Sequence, residues 1–168
     1  MKKYRLTEET TKVGNRTLYR TLYRIQALRD FGNVKEGDIG GYIESEKNLS
    51  QDGNAWVSGD ARVYGNACVY GNARVYGDAR VSGNAQVSGD ADIKTTGDIC
   101  SMSGFGSEYR TITAFRTKNG DVHVSCGCFQ GNLEAFCQRV ESTHGNNLYG
   151  REYKKMIEML KIHFEVEP

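Results

Sequence analysis

The chain has 168 residues, a formal net charge of +1 and a pI near 7.6, which is enough sequence for one or two compact units. This balance differs from that of proteins built for duplex DNA, which carry a strong basic excess. No apolar run approaches membrane-spanning or signal-peptide character, and the five cysteines are an odd number. We therefore expect a cytoplasmic protein with reduced thiols, no duplex-DNA partner and no membrane partner.

The N-terminal segment predicts a small β unit. Residues 4–6 and 23–27 have the composition of strands, and Gly14 followed by Asn15 is a candidate hairpin turn. A tandem TLYR at residues 17–24 leaves the register open, and the apolar spacing there also permits a short helix.

Residues 54–95 repeat every six residues, as NAWVSG, DARVYG, NACVYG, NARVYG, DARVSG, NAQVSG and DADIKT. A branched aliphatic residue recurs in one phase, alanine in a second and glycine in a third. Branched residues suit a half-buried strand, and glycine followed by Asn or Asp suits a sharp corner. Each turn of such a coil cannot bury its own apolar face, so successive turns are expected to stack.

This pattern resembles the hexapeptide-repeat proteins, and the resemblance implies a left-handed parallel β-helix with three hexads in each coil. The aliphatic residues and alanines would then point inward. The residues between them would point outward and stack three hexads apart, with Trp56 over Arg74 over Asp92, Arg62 over Arg80, and Cys68 over Gln86.

Residues 37–50 continue the repeat imperfectly, as expected of a terminal coil. Their sequence places Ile39 in the aliphatic phase, and Ile43 and Leu49 in the alanine phase.

After the repeat, the Gly/Ser-rich residues 101–107 predict a linker. Two alternating strands follow around a hairpin at residues 118–121. A first helix is expected to begin after Asn132 and to end at Gly145, and a second helix follows it. The second helix is expected to pack with one apolar face made of Tyr149, Tyr153, Met156, Ile157, Leu160 and Phe164.

The predicted fold is therefore mainly β: a short left-handed parallel β-helix with an N-terminal β cap and a C-terminal ββαα unit of the α+β class. The predicted segments are an N-terminal cap at 1–36, the β-helix at 37–100, a linker at 101–108 and the ββαα domain at 109–168.

Many hexapeptide-repeat proteins resemble one another in being trimeric acyltransferases, which need a histidine general base near a cleft. Here His123, His144 and His163 all follow the repeat, and no insertion interrupts the hexads. An acyltransferase-like activity is kept as an alternative to a non-catalytic role.

A second enzymatic alternative comes from Cys126, Cys128, Cys137 and His144, which could form a metal site or a Cys–His pair. Structural zinc sites usually open with cysteines two to four residues apart, whereas one residue separates the first two here. On an alternating strand both would face one side. The preferred interpretation is small core residues, with no metal and no cofactor.

The outward arginines and tyrosines are candidates for ligand binding. Arginine and tyrosine suit both a subunit interface and an anionic nucleotide, and the sequence leaves both open. The candidate residues are Arg62, Tyr64, Tyr70, Arg74, Tyr76 and Arg80.

Three segments, LYRIQALRDFG, GGYIESEKNLSQDGNAWV and VSCGCFQGNLEAF, are similar to small phage and prophage proteins with hexapeptide repeats, mostly of unassigned function. This resemblance implies a non-catalytic binding protein in the cytoplasm of a bacterial host. It would inhibit antiviral defence either by sequestering a nucleotide signal or by binding a host protein. By analogy with the family, it would be a homotrimer. A structural or assembly component of a phage is a further alternative.

Overall fold

The computed structural model describes residues 1–166, which form a mainly β protein with fourteen strands, two α-helices and two single-turn 3₁₀ helices. A stack of short parallel strands occupies the middle of the chain, and antiparallel strands flank it on both sides. None of the helices within residues 1–166 combines the length and apolar character needed to cross a bilayer.

The hexads form seven two-residue strands, each made of one outward residue and the aliphatic residue after it. They are β4 (Trp56–Val57), β5 (Arg62–Val63), β6 (Cys68–Val69), β7 (Arg74–Val75), β8 (Arg80–Val81), β9 (Gln86–Val87) and β10 (Asp92–Ile93). Each strand pairs in parallel with the strand three hexads away. Arg74 thus lies between Trp56 and Asp92, Arg62 pairs with Arg80, and Cys68 pairs with Gln86. The predicted stacking is confirmed.

The interior of the stack contains the two apolar phases of the repeat. Val57, Val69 and Ile93 are fully buried, and the alanines from Ala55 to Ala91 are at most 1% exposed. Burying a valine or isoleucine side chain contributes about 1.5–3 kcal/mol to the free energy of unfolding, so these rows of buried side chains hold neighbouring coils together. The phase assignment made from the sequence is confirmed.

Glycines form the corners because each adopts a left-handed backbone conformation, with φ between 61° and 72° from Gly53 to Gly89. Space is a second requirement at some corners. A Cβ on Gly53 would lie 2.7 Å from the carbonyl oxygen of Gly71 in the next coil. A side chain there would therefore force the two coils apart.

The first coil departs from the predicted phase. Ile43 pairs with Val63, and Leu49 bridges to Val69, so both occupy aliphatic positions rather than alanine positions. Ile39, expected in the aliphatic phase, is 54% exposed. Ile43 and Val63, like Leu49 and Val69, are twenty residues apart, whereas stacked residues of the regular coils are eighteen apart. Two extra residues before the regular hexads thus shift the phase of the first coil, which explains why its predicted phase is wrong.

The N-terminal residues form a long hairpin that extends one face of the solenoid. Strands β1 (Tyr4–Gly14) and β2 (Tyr19–Ala27) pair antiparallel, and β2 pairs with β3 (Ile39–Ile43). The sheet order is β1-β2-β3-β5-β8. The turn after Gly14 is confirmed, both strands are longer than predicted, and the helical alternative is wrong.

The start of the chain lies over the open end of the first coil. The Tyr4 hydroxyl donates to the Leu49 carbonyl oxygen at 2.6 Å, and the Lys3 ammonium donates to the Ala55 carbonyl oxygen at 2.9 Å. Tyr4 and Phe31 also pack edge-on against Trp56. Trp56 points out of its coil as predicted but is only 7% exposed, because the N-terminal unit covers it.

The C-terminal unit is a four-stranded antiparallel sheet followed by two helices. Its elements are β11 (Ile99–Phe105), β12 (Arg110–Arg116), β13 (Val122–Cys126), β14 (Phe129–Asn132), α1 (Leu133–His144) and α2 (Leu148–His163). Residues 101–105, predicted to be linker, belong to β11, because pairing with β12 gives this Gly/Ser-rich stretch backbone partners. The unit therefore has two more strands than the predicted ββαα arrangement. The Asn132 side chain accepts from the Ala135 amide, and Gly145 follows the last turn of α1, as predicted.

This unit packs against the last coil of the solenoid. Phe115 is buried in the solenoid core. The Gln86 amide donates to the Thr113 hydroxyl at 3.0 Å, and the Lys118 amide donates to the Asp90 carbonyl oxygen at 3.0 Å. Backbone groups that would otherwise be unpaired at this end of the stack thus have partners.

Candidate functional site

The six candidate residues from the sequence do not converge on one position. Arg62 and Arg80 lie on the face that the N-terminal hairpin extends, whereas Arg74 lies on the face that contains Trp56. The Tyr70 hydroxyl accepts a hydrogen bond from the Gln130 amide at 2.7 Å, beside the C-terminal unit.

The two remaining tyrosines follow this division. Tyr64 packs beside Val13 and Leu22 of the hairpin, and Tyr76 lies next to Arg74, whose guanidinium carbon is 6.0 Å from the phenol ring centre. A single small ligand therefore contacts one subset of the candidates, not all six.

Arg74 lines a polar cavity of about 360 Å³, called here the solenoid groove. The N-terminal loop forms one wall, and the hairpin after β12 reaches its far end. The groove is lined by Gly32, Asn33, Val34, Asn54, Trp56, Asn72, Arg74, Asp90, Ala91, Asp92 and Lys118.

The charges of the groove are arranged so that one cation has no ionic partner. Lys118 pairs with Asp90 at 2.9 Å, and this contact lowers the pKa of the Asp90 carboxyl. The Tyr76 hydroxyl donates to Asp92 at 3.1 Å. Burial has the largest effect in raising the pKa of Tyr76, and this hydrogen bond raises it further. Within residues 1–166, no carboxylate lies within 4 Å of the exposed Arg74 guanidinium.

The remaining groups of the groove are neutral hydrogen-bonding groups on a rigid support. The Asn54 side chain donates to the Asn72 side chain at 3.2 Å, one coil below. Trp56 is held between Tyr4 and Phe31, which pack edge-on against it. The eighteen-residue spacing of Asn54, Asn72 and Asp90 could have revealed this ladder in the sequence. Only the fold reveals the loop that encloses it.

A second cavity, of about 250 Å³, lies in the C-terminal unit and is called here the C-terminal cleft. Cys126, Cys128 and His144 all line it, whereas Cys137 lies outside it in a shallow depression between α1 and α2. The expectation that Cys126 and Cys128 share a strand face is wrong. Cys128 is exposed in the turn between β13 and β14. The other residues lining the cleft are Arg110, Phe129, Phe136, Arg139, Val140, Thr143 and Tyr153.

The Cys126 thiol is not activated as a nucleophile. Burial raises its pKa, and the opposing effects of Tyr153 and Arg110 are smaller. A reactive cysteine instead needs a lowered pKa, because the thiolate is the attacking species. In the described part of the chain, no three His, Cys, Asp or Glu side chains are grouped to hold a metal ion.

The other two histidines lie away from both cavities. The His123 ring packs near Phe115, with ring centres 6.4 Å apart, and His163 Nε2 is 3.0 Å from the Gly97 carbonyl oxygen. The part of the groove that the structure describes thus has no histidine to act as a general base for acyl transfer.

Comparisons with known proteins match the repeat. A protein-family model described as the YdcK beta-solenoid repeat matches residues 55–71, 61–75, 69–83 and 73–89. A curated protein of Escherichia coli strain K12, named uncharacterized acetyltransferase YdcK, is 41% identical over 61 residues. That match covers 34% of this chain and 19% of the relative, so the chain matches about a fifth of the relative's length. Together with the stacked strands, these matches show a repeat β-helix protein.

Proposed function

We propose that this repeat β-solenoid protein is a non-catalytic binding protein that holds a small anionic ligand of the nucleotide class in the solenoid groove. The observation that carries the proposal is Arg74. Its exposed guanidinium has no carboxylate partner within residues 1–166 and opens into a cavity of about 360 Å³. Guanidinium groups bind phosphate through paired, charge-assisted hydrogen bonds.

The charge balance of the groove favours a particular kind of anion. Arg74 and Lys118 are offset by Asp90 and Asp92, so the lining has no net charge. A triphosphate would bring several negative charges near the two carboxylates, which opposes its binding. A ligand with one negative charge, such as a cyclic nucleotide, fits better because Arg74 can take its phosphate. The Asn54 side-chain oxygen, which takes no part in the hydrogen bond to Asn72, is then available for the polar edge of a base.

The proposal is tested by thermal unfolding with cyclic nucleotides and ADP-ribose-type nucleotides at constant ionic strength. At a ligand concentration of about 100 times Kd, a native-state ligand stabilises the fold by about 2.7 kcal/mol. Arg74→Gln is expected to abolish the shift. Arg80→Gln is the matched control, because Arg80 is also exposed but lies on another face. No shift with any ligand, or an unchanged shift in Arg74→Gln, would refute this site.

A host protein is the alternative target of a binding role. At the tip of the β1–β2 hairpin, Leu18 is 80% exposed and Tyr19 is 53% exposed. They line a cavity with Val13 and Tyr64, and an exposed apolar tip of this kind is typical of protein contacts. Pull-down from infected cells with wild type and a Leu18→Ser/Tyr19→Ser variant tests this target. A partner retained equally by both would place the contact elsewhere.

The biological setting is also a proposal. Similarity of three segments to phage and prophage proteins supports an inhibitor of bacterial antiviral defence that acts as a homotrimer in the host cytoplasm. The five unpaired cysteines are consistent with a reducing compartment. Light scattering on the purified chain tests the trimer, and a monomer at micromolar concentration would refute it.

We propose that the coils wind left-handed, and that the N-terminal hairpin and the C-terminal unit cap the two ends of the stack. Support comes from the eighteen-residue stacking and from the contacts of Lys3, Tyr4 and Phe115 with the end coils. A crystal structure with right-handed coils would refute the expected winding.

Acetyl transfer is a second candidate function, favoured by the name of the relative from Escherichia coli. The described groove offers no histidine base, so we rank it below binding. Release of free coenzyme A from acetyl-coenzyme A, measured with an amine acceptor panel, tests it. If wild type turns over acetyl-coenzyme A and Arg74→Gln does not, that result would favour an enzymatic function over a binding function.

A further inference from the structure

We propose that the C-terminal cleft is a second ligand site, which binds a small phosphomonoester through Arg110 and Arg139. This site is separate from the solenoid groove, and none of its lining residues is shared with that groove. The cleft lies where β12 begins, beside the β13–β14 turn and the inner faces of α1 and α2.

The charge of the cleft favours an anion. Arg110 comes from strand β12 and Arg139 from helix α1, yet both line the same cavity. The described lining contains no Asp or Glu, and neither guanidinium forms an ion pair within residues 1–166. Two guanidiniums without a neutralising carboxylate create a positive potential that a doubly charged phosphate reduces.

The backbone is shaped to accept Arg110. Gly127 in the β13–β14 turn has φ +60°, and a Cβ there would lie 2.5 Å from Arg110 Nη1 and 2.9 Å from Arg110 Cδ. The arginine side chain therefore lies directly across the turn, in space that only glycine leaves free. This contact orients the guanidinium toward the cleft and reduces the side-chain entropy that binding would otherwise cost.

A histidine ring and a threonine hydroxyl complete the site. The His144 ring stacks on Tyr153, with ring centres 5.4 Å apart and planes 26° apart, and it meets Tyr149 edge-on. Within residues 1–166, no protein group hydrogen-bonds to either ring nitrogen of His144. An imidazole held by stacking but unpaired at its nitrogens can bind a phosphate oxygen, and the neighbouring Thr143 hydroxyl lines the same cavity.

The size and apolar wall of the cleft indicate the rest of the ligand. A volume of about 250 Å³ holds a phosphate with a small organic group. Phe129 is half-buried and packs on Phe136, with ring centres 5.3 Å apart, so a flat aromatic group can contact its ring. We therefore expect an aromatic phosphomonoester to bind more tightly than inorganic phosphate.

Titration calorimetry on the full chain, with phenyl phosphate and inorganic phosphate at constant ionic strength, tests the site. Both are expected to bind saturably, with phenyl phosphate tighter. Arg110→Gln and Arg139→Gln should each weaken binding about tenfold or more, as loss of a charged hydrogen-bond donor implies. Arg151→Gln is the matched control, because Arg151 is exposed on α2 and lies outside the cleft.

Two further variants locate the bound phosphate within the molecule. Gly127→Ala should displace Arg110 and weaken binding while circular dichroism shows an unchanged fold. Arg74→Gln should leave phenyl phosphate binding unchanged, because Arg74 lines the solenoid groove and not the cleft. The proposed site in the groove and the proposed site in the cleft can therefore be refuted independently. No saturable binding up to about 10 mM phenyl phosphate, or wild-type affinity in both Arg110→Gln and Arg139→Gln, would overturn the proposal.

Discussion

The contribution of the buried Lys3 to the stability of this protein should increase with pH in the alkaline range. Lys3 is fully buried, its ammonium donates to the Ala55 carbonyl oxygen, and it lies 5.0 Å from the centre of the Phe31 ring. Burial, and then the nearby charge of Arg29, lowers the pKa of Lys3 from 10.5 to about 8, with Asp52 opposing the shift. The folded state therefore releases this proton before the unfolded state does.

The sign and size of the effect follow from this difference. Below pH 8, Lys3 is protonated in both the folded and the unfolded state and adds no pH dependence to the free energy of unfolding. Between pH 8 and 10.5 the unfolded state binds more protons, so the free energy of unfolding rises with pH. The complete change corresponds to about 3 kcal/mol, of which about 1 kcal/mol is reached by pH 9.

Other groups titrate in the same range, so the measured quantity is a difference between variants. Burial raises the pKa of the Cys68, Cys100 and Cys126 thiols, and their contribution to stability falls as pH rises past the thiol value near 8.5. These contributions cancel when Lys3→Met is subtracted from wild type. Burial also raises the pKa of Tyr4, whose effect begins near pH 10, so the series stops at about pH 9.5.

The assay is urea unfolding under reducing conditions at about pH 7, 8, 9 and 9.5. Wild type minus Lys3→Met should be constant to about pH 8 and should then rise. Lys2→Met is the control, because Lys2 is exposed and pairs only at the surface with Glu46, so wild type minus Lys2→Met should stay constant across the pH series. A difference that stays flat or falls above pH 8 would refute the assignment of a buried, pKa-shifted Lys3.

Three further predictions test the solenoid itself. Val69→Asp places a charge in the fully buried core and should cost several kcal/mol, roughly the stability of the fold, so a soluble, folded variant by circular dichroism would contradict the inward phase. Gly53→Ala and Gly83→Ala both place a side chain at positive φ, which costs about 1–2 kcal/mol each. Of these two variants, only Gly53→Ala also brings the new Cβ against a carbonyl oxygen, that of Gly71. The melting temperature of Gly53→Ala should therefore fall further than that of Gly83→Ala. Asn48→Ala removes buried hydrogen bonds to two carbonyl oxygens of the next coil and should cost about 1–3 kcal/mol in urea unfolding.

The regular hexads can be interpreted without a structure because every position repeats the same local requirement. A branched residue such as Val69 enters the core, a glycine such as Gly71 takes a left-handed corner, and the residue between them faces outward. Stacking then follows from counting, which is why the predicted pairing of Trp56 with Arg74 is correct. Counting fails at Ile43 and Leu49, because two additional residues shift the phase in the first coil.

The period of the repeat, its inward and outward phases, and the hairpin and helix signals of the flanking units can all be recognised in the amino-acid sequence alone. These depend on neighbouring residues and on a spacing that repeats. Three other features are visible only in the folded protein: the N-terminal unit buries Trp56, Lys118 lines the groove with Arg74, and Arg110 and Arg139 line one cleft. Such contacts join residues far apart in the chain, and their geometry depends on how whole elements pack, which no local pattern specifies.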